Sequence, residues 1–257
     1  MGGYKPKGFS MQKKFCFFYA FWFLSLTSFK LFAFVFNDPH DSSVPENARF
    51  SAFSSPPKTL DPARAYSSDE MVFIEQIYEP PIQYHYLKRP YTLTPLTTEE
   101  MPKLSYYDLE GNKIEPPIKN FSHVAYTLYD IKIKKGIFYQ NHPSFAKASD
   151  GSFLYHNLSV EDLDNINSLS DFKESSTREL TAYDYAYQIK RLAHPNVSSP
   201  IYGVMIEYID GLEEFAERLK KVHEKDEKAF LDLRNYELSG VKILGRYHYQ
   251  IKVKGIY

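Results

Sequence analysis

The chain has 257 residues, which allows one large domain or two ordinary ones with a sizeable core. Its composition, 43% hydrophobic and 25% charged, is that of an ordinary globular protein, and a formal net charge of −1 gives no electrostatic reason to expect a nucleic-acid partner. The single cysteine, Cys16, lies in the N-terminal apolar run, so the rest of the chain can form no internal disulfide.

The N-terminal segment predicts export. Lys13 and Lys14 precede an apolar core, Phe15 to Leu24, which is followed by the small polar residues of the segment SLTS. A basic region, an apolar core and a small-residue stretch describe a secretory signal peptide. We therefore expect a periplasmic protein, with either Met1 or Met11 as the true start.

An uncleaved signal anchor in the inner membrane is the alternative. The stretch from Phe15 to Phe36 approaches the ~20 residues that span a bilayer, although Lys30 interrupts it. Residues 1–36 are therefore assigned to a signal peptide or a signal anchor. A polar spacer follows, and a short first strand is predicted at residues 49–54.

The stretch from Pro56 to Pro81 predicts a turn that leads into a capped helix. Ser67 followed by Glu70 has the spacing of a capping box, so the helix is expected to begin near Ser67 and to end before Pro80. Apolar residues at helical spacing predict one buried face. These residues are Met71, Ile74 and Tyr78, with Val72 and Phe73 widening the stripe.

Residues 80–176 predict strands, turns and irregular structure. Closely spaced prolines exclude a long helix between residues 80 and 119, and a hairpin turn is expected at residues 108–112. A half-buried strand is predicted from Tyr126 to Lys134, because apolar and charged residues alternate there. Residues 141–176 are polar, with a short helix expected at Val160–Asn165.

Two helices and a strand are predicted in the remainder of the chain. Thr181 with Asp184 forms a second cap, and that helix is expected to end before His194. A second helix is predicted by apolar residues at helical spacing, which are Leu212, Phe215, Leu219 and Val222. Three pairs of opposite charge on its polar side have the i,i+4 spacing of ion pairs: Glu214/Arg218, Glu217/Lys221 and Glu224/Lys228. Residues 247–254 alternate as a final strand. Helices and strands are interspersed without a regular βαβ period, which predicts a mixed α/β sheet.

Four blocks of this sequence resemble, in the expected order, the extracellular solute-binding proteins of family 5, which are the peptide and oligopeptide receptors of ABC importers. Four ordered blocks are far more specific than any one of them. They read TLDP to IYE at residues 59–79, PL to EMP at 95–102, IKIKKGIFY at 131–139, and LTAYD to KRLAHP at 180–195.

The resemblance implies an α/β, periplasmic-binding-protein-like (class II) fold with a mixed sheet. Family members have two lobes that close over an extended peptide, and they are considerably longer than this chain. We therefore expect the first lobe only, with the second lobe missing. On this basis residues 37–82 begin the first lobe, residues 83–176 form an inserted strand-rich subdomain, and residues 177–257 continue the first lobe and end before the second.

The resemblance also implies a binding site. In the family the residues after Leu-Asp-Pro line the cleft, so Arg64, Ala65, Tyr66 and Ser67 are the expected ligand-binding residues. Ser67 has a second interpretation, in which it is occupied entirely as the helix cap. The implied partners are a peptide or another small solute and the permease subunits in the inner membrane. The protein is expected to be a monomer that binds no nucleic acid and no cofactor.

Catalytic and metal-binding patterns are not found in the sequence. The eight histidines are scattered, and none forms a close pair with Cys, Asp or Glu at metal-ligand spacing. There is no Gly-x-Ser-x-Gly motif, and the neighbouring carboxylates Glu99 and Glu100 diverge on any regular element. No catalytic function is therefore predicted, and the resemblance implies the substrate-binding component, or its N-terminal fragment, of an ABC importer for peptides or similar solutes. The alternative is a truncated, ligand-incompetent remnant or an interaction protein derived from such a receptor. Because the second lobe is expected to be missing, the isolated chain is expected to show no peptide-induced thermal shift.

Overall fold

The structure, a computed structural model, describes residues 55–256, which contain four α-helices and seven strands. The predicted signal segment and the predicted strand at residues 49–54 lie outside the described residues. In chain order the elements are α1 (Ser68–Ile77), β1 (Ile82–Tyr84), β2 (Leu93–Pro95), β3 (Lys103–Tyr107), β4 (Lys113–Ile114), β5 (Tyr126–Lys132), α2 (Ala182–Arg191), α3 (Tyr202–Tyr208), α4 (Leu212–His223), β6 (Val241–Gly245) and β7 (His248–Lys254).

Five strands form one sheet in the order β4-β3-β5-β7-β6, and β1 pairs with β2 in a separate hairpin. Every ladder between these strands is antiparallel. The predicted mixture of helices and strands is therefore confirmed, while the strand directions within residues 55–256 are not mixed. β5 and β7 lie side by side at the centre of the sheet, with Tyr129 opposite Ile251. Strands from the predicted segments 83–176 and 177–257 thus join in one sheet, and the domain boundaries at residues 82 and 176 stay predictions.

The central strands follow the predicted alternation. Ile131 and Ile133, which continues the line of β5, are buried, and so are Tyr249 and Val253 in β7. α2 packs against β6 and β7, and its first residue, Ala182, joins this apolar layer. The alternating pattern therefore places one face of the sheet in the core, as expected for an antiparallel sheet with a single covered face.

A second apolar cluster is built around α4. Leu212, Phe215 and Leu219 are fully buried on one side of this helix, which confirms its predicted stripe. Leucines from the segment before β6 complete the cluster. The predicted i,i+4 ion pairs do not form among the described residues; the Arg218 guanidinium instead donates a hydrogen bond to the carbonyl of Glu237. A fixed carbonyl outside the helix thus takes the place of the carboxylate one turn away.

The predicted elements differ from the structure in three further places. α3 was not predicted, since no cap or regular stripe marks it. The helix expected at residues 160–165 is only a single 3-10 turn, Glu161–Leu163. The apolar face of α1 is only partly covered, because Ile74 is buried whereas Val72 and Tyr78 are exposed. Within residues 55–256 no helix has the length and apolar character that a bilayer span requires.

Candidate ligand-binding loop

Asp61 shapes the loop that carries the predicted site, residues 59–67, here called the Leu-Asp-Pro loop. Its carbonyl oxygen accepts hydrogen bonds from the backbone N–H groups of Arg64 (3.0 Å) and Ala65 (2.9 Å). Its carboxylate Oδ1 accepts from the N–H of Ala63 at 3.0 Å, and its own N–H donates to Thr59 Oγ1 at 3.1 Å. One aspartate therefore winds the following residues into a tight turn, a role for which its short polar side chain is suited.

A distant arginine holds this turn against the rest of the fold. Arg191, the last residue of α2, donates from both terminal nitrogens to Asp61, at 2.8 Å to Oδ1 and 2.5 Å to Oδ2. The side-by-side geometry is the one in which arginine binds carboxylates most strongly. The guanidinium holds the pKa of Asp61 below its usual value, and the Asp61 carboxylate raises the pKa of Arg191 in turn. Both side chains are half-buried and charged at neutral pH.

Glu70 closes the other end of the loop. Its side chain is buried, and its carboxylate accepts from three backbone N–H groups, those of Lys58 (3.2 Å), Tyr66 (2.9 Å) and Ser67 (3.0 Å). These bonds, with that from Ser67 first, lower the pKa of Glu70 to about 2. Because Lys58 precedes the loop and Ser67 ends it, one carboxylate draws the two ends of the loop together. The capping box predicted from the sequence is therefore confirmed, and it has the additional partner Lys58.

The four predicted ligand-binding residues have different surroundings. Arg64 and Tyr66 are exposed, so their side chains are available to a ligand. Ala65 is buried, and its N–H is used within the turn. The Ser67 hydroxyl accepts from the N–H of Glu70 at 3.4 Å, as its alternative interpretation requires. The assignment of all four to ligand binding stays a prediction, and Arg64 and Tyr66 are the two whose side chains remain free for it.

Arg64 forms no ion pair among residues 55–256, although its charge adds to the effect of Arg191 in lowering the pKa of Asp61. The other arginines near the loop and sheet are paired: Arg191 with Asp61, and Arg178 with Asp184. An unpaired guanidinium beside an exposed aromatic ring offers five N–H donors and a flat apolar surface. This combination can bind a carboxylate or a carbonyl-rich chain.

The first, second and fourth resemblance blocks meet at a pair of buried threonines. Thr97 Oγ1 lies 2.6 Å from the hydroxyl of Tyr185, which donates to the carbonyl of Glu79 at 2.8 Å. Thr98 Oγ1 donates to the carbonyl of Pro81 at 3.0 Å. Burial raises the pKa of Tyr185 to about 12, so its hydroxyl stays neutral and able to donate. Sequence reasoning identified the segments that carry these residues but not the contacts between them.

The third block is tied to the same region. The N–H of Lys134 donates to the carbonyl of Thr97 at 2.8 Å, and the N–H of Leu180 donates to the carbonyl of Ile137 at 2.8 Å. All four blocks are thus linked by hydrogen bonds, although they are far apart along the chain. Among residues 55–256 no three His, Cys, Asp or Glu side chains converge as ligands of a metal ion.

No family model matches this chain, and no curated protein matches it. Similar solved structures include Listeria monocytogenes OppA bound to peptide, with a TM-score of 0.39 and 17% identity over 77% of this chain and 25% of that chain. The pheromone receptor PrgZ has a TM-score of 0.39 and 17% identity over 79% of this chain and 25% of its own. Haemophilus influenzae OppA in complex with the peptide RPPGFSPFR has a TM-score of 0.38 and 13% identity over 78% and 25%. The chain therefore spans a quarter of the length of these proteins. Scores and identities this low do not by themselves establish a shared fold or function.

Proposed function

We propose that this chain is the substrate-binding component, or the N-terminal portion of it, of an ABC importer for peptides or similar solutes. Its role is transport and not catalysis. The observation that carries the proposal is the Leu-Asp-Pro loop, which is closed by Glu70, joined to Arg191 through Asp61, and presents Arg64 and Tyr66 to solvent. The three further sequence blocks, at residues 95–102, 131–139 and 180–195, also support it. The proposed location is the periplasm, free or held at the inner membrane by the N-terminal segment, where the permease subunits are the partners.

The chemistry of the loop suits a peptide. An extended peptide offers a terminal carboxylate and a row of carbonyl groups, which match the donors of an arginine fork. In the proposed complex Arg64 binds one of these groups and the ring of Tyr66 covers an adjacent side chain. Because Asp61 and Glu70 already hold the loop in shape, little ordering entropy is lost when the ligand binds.

An interaction protein that binds no solute is the second candidate, and exposed apolar side chains favour it. Large exposed apolar patches on a soluble protein commonly mark contact surfaces. The most exposed of these side chains are Tyr86, Leu109, Phe230, Val160, Tyr66 and Leu87.

Thermal unfolding of the full chain in the presence of short peptides distinguishes the two candidates. A ligand that binds the native state stabilises it by RT ln(1 + [L]/Kd), which is about 2.7 kcal/mol at a hundredfold excess over Kd. A peptide-dependent rise in Tm supports the binding function. The rise is expected to shrink in Arg64→Gln and Tyr66→Ala and to persist in the matched control Arg234→Gln, whose side chain is exposed elsewhere.

A pair of peptides that differ only at the C-terminus tests the role of Arg64. If Arg64 binds a carboxylate, the amidated peptide should bind wild type more weakly, and Arg64→Gln should remove the difference. If peptides of several sequences produce no shift with the wild-type chain, peptide binding by this chain is ruled out and the interaction protein or ligand-incompetent remnant is favoured.

A further inference from the structure

The hairpin formed by β1, β2 and the turn between them, residues 82–95, presents apolar side chains to solvent; we call it the tyrosine hairpin. Tyr86 is 88% exposed and Leu87 76% exposed, and Tyr84 and Tyr91 are also exposed. The rings of Tyr84 and Tyr91 contact each other edge to face, with centroids 5.8 Å apart. At its tip, between residues 84 and 91, the hairpin thus exposes four large apolar side chains, two of which are in contact.

Hydrogen bonds within the hairpin hold the tip in this conformation. The ring nitrogen Nδ1 of His85 accepts from the N–H groups of Leu87 (3.2 Å) and Lys88 (3.3 Å). The N–H of His85 donates across the hairpin to the carbonyl of Thr92 at 2.7 Å. The Arg89 guanidinium donates to the carbonyl of Lys88 at 2.9 Å and lies over the ring of Tyr91, 4.5 Å from its centroid. The exposed side chains are therefore presented by a turn with its own internal order.

The tip carries positive charge and no negative charge. Lys88 and Arg89 lie at the turn, and the sequence contains no Asp or Glu between Glu79 and Glu99. Neither basic side chain forms an ion pair among the described residues. This surface combines exposed tyrosines and a leucine with two cations that form no ion pair. A complementary partner has a negatively charged surface with an apolar layer directly below it.

We propose that the tyrosine hairpin docks onto the surface of an anionic lipid bilayer. Tyrosine rings are favourable at the headgroup level, where one end of the ring is apolar and the other is wet. In the docked state Leu87 enters the acyl boundary, and Lys88 and Arg89 lie among the lipid phosphates. Basic residues near an anionic surface add to binding, and apolar side chains buried at the interface add the remainder. This inference does not depend on the proposed transport function.

The chain contains a natural control for the charge argument. Leu109 lies in the β3–β4 turn and is 89% exposed, so it is even more accessible than Leu87. Its neighbours, however, are Asp108 and Glu110. An anionic bilayer should repel that turn and attract the tyrosine hairpin, although both expose a leucine.

The test uses the full chain with Cys16→Ser and a polarity-sensitive fluorophore attached to Leu87→Cys. Vesicles of phosphatidylcholine with phosphatidylglycerol are expected to shift the emission to the blue and to allow quenching by brominated lipid. Phosphatidylcholine vesicles alone are expected to do neither. The same label on Leu109→Cys should keep the emission of a water-exposed fluorophore with both kinds of vesicle. Because both labelled chains carry the same N-terminal segment, a response of Leu87→Cys without a response of Leu109→Cys is specific to the tyrosine hairpin.

Charge variants complete the test. Lys88→Gln in the labelled chain should weaken the vesicle-dependent shift roughly fivefold, the effect of one basic residue at an anionic surface, and Lys119→Gln should leave it unchanged. Added salt should weaken the shift as well. The proposal is overturned if anionic vesicles leave the Leu87→Cys label in water, or if the Leu109→Cys label responds equally. A shift that grows with protein concentration without lipid would overturn it in favour of a second copy of the chain.

Discussion

Asp61 takes part in two contacts, the turn of the Leu-Asp-Pro loop and the ion pair with Arg191. Its backbone carbonyl and carboxylate wind the turn that carries Arg64, and the same carboxylate binds Arg191. The residue types of the turn, Asp followed by Pro, can be recognised in the sequence. The partner cannot, because Arg191 is 130 positions away and its placement depends on how α2 packs on the sheet.

The coupling between Asp61 and Arg191 is the first prediction. A double-mutant cycle with Asp61→Asn and Arg191→Gln, measured by urea unfolding, should give an interaction energy of about 1–2 kcal/mol, since the bond is bidentate and its side chains are only 25% and 29% exposed. The matched control is the pair Asp232 and Arg234, in which the arginine is 76% exposed. That cycle should give a clearly smaller coupling, because solvent screens the exposed pair. Equal coupling in the two cycles would contradict the structural role of the Asp61–Arg191 pair.

At the scale of elements, the loop before α4 packs closely on the start of β6. The N–H of Asp210 donates to the carbonyl of Lys252 at 3.0 Å, and the N–H of Lys252 donates to the carbonyl of Gly240 at 2.8 Å. A Cβ on Gly240 would lie 2.1 Å from the carbonyl oxygen of Asp210, which is backbone and cannot turn aside. Glycine at this position therefore allows α4 and the β6–β7 hairpin to come together.

The second prediction compares two glycine substitutions. Gly240→Ala should destabilise the protein by about 1–3 kcal/mol, because the backbone must shift to relieve the overlap. Gly203→Ala is the control: it lies in α3, where an added Cβ meets no atom within 4 Å. That change should be neutral or stabilising by up to about 1 kcal/mol, because alanine favours the helix. Chemical denaturation of both variants is the measurement, and a harmless Gly240→Ala would refute the close approach.

Elements with a strong repeating pattern were predicted well, and the others were not. β5, β7, α2 and α4 carry either a period of two or a capped apolar stripe, and each lies where the sequence predicts. α3 has seven residues and no side-chain cap, so its helical conformation depends on packing against α4 and β7. In α1 the sequence predicts more burial than the structure has: Ile74 is buried, but Val72 and Tyr78, which belong to the same predicted stripe, are exposed.

At the scale of the whole molecule, hydrogen-bonded carboxylates link stability to pH. Arg191 lowers the pKa of Asp61, a hydrogen bond from Tyr247 does most to lower that of Glu179, and backbone donors lower that of Glu70 to about 2. A folded pKa below the unfolded value means that the unfolded chain binds protons first. The resulting stabilisation is complete above about pH 5 and is lost as the pH falls toward the folded values.

The third prediction follows from this linkage. The urea midpoint should fall steeply between about pH 5 and about pH 2 in wild type, and less steeply in Glu70→Gln. That variant should also be less stable at neutral pH, since glutamine has only one accepting oxygen: if it keeps the bonds from Tyr66 and Ser67, it loses the bond from the N–H of Lys58. Glu75→Gln, on the exposed side of the same helix, is the control and should keep the wild-type slope. An unchanged slope in Glu70→Gln would show that other carboxylates carry the acid sensitivity.

Features that depend on neighbouring residues could be predicted without the fold: the caps at Ser67 and Thr181, the alternation of the central strands and the stripe of α4. These follow from local hydrogen bonding and from the period of the backbone, which need no knowledge of the fold. The packing of the folded chain was needed to show that Asp61 binds Arg191, that Thr97 and Tyr185 join three segments, and which apolar side chains remain exposed. Such contacts depend on which faces pack together, and burial of those faces is a property of the whole chain.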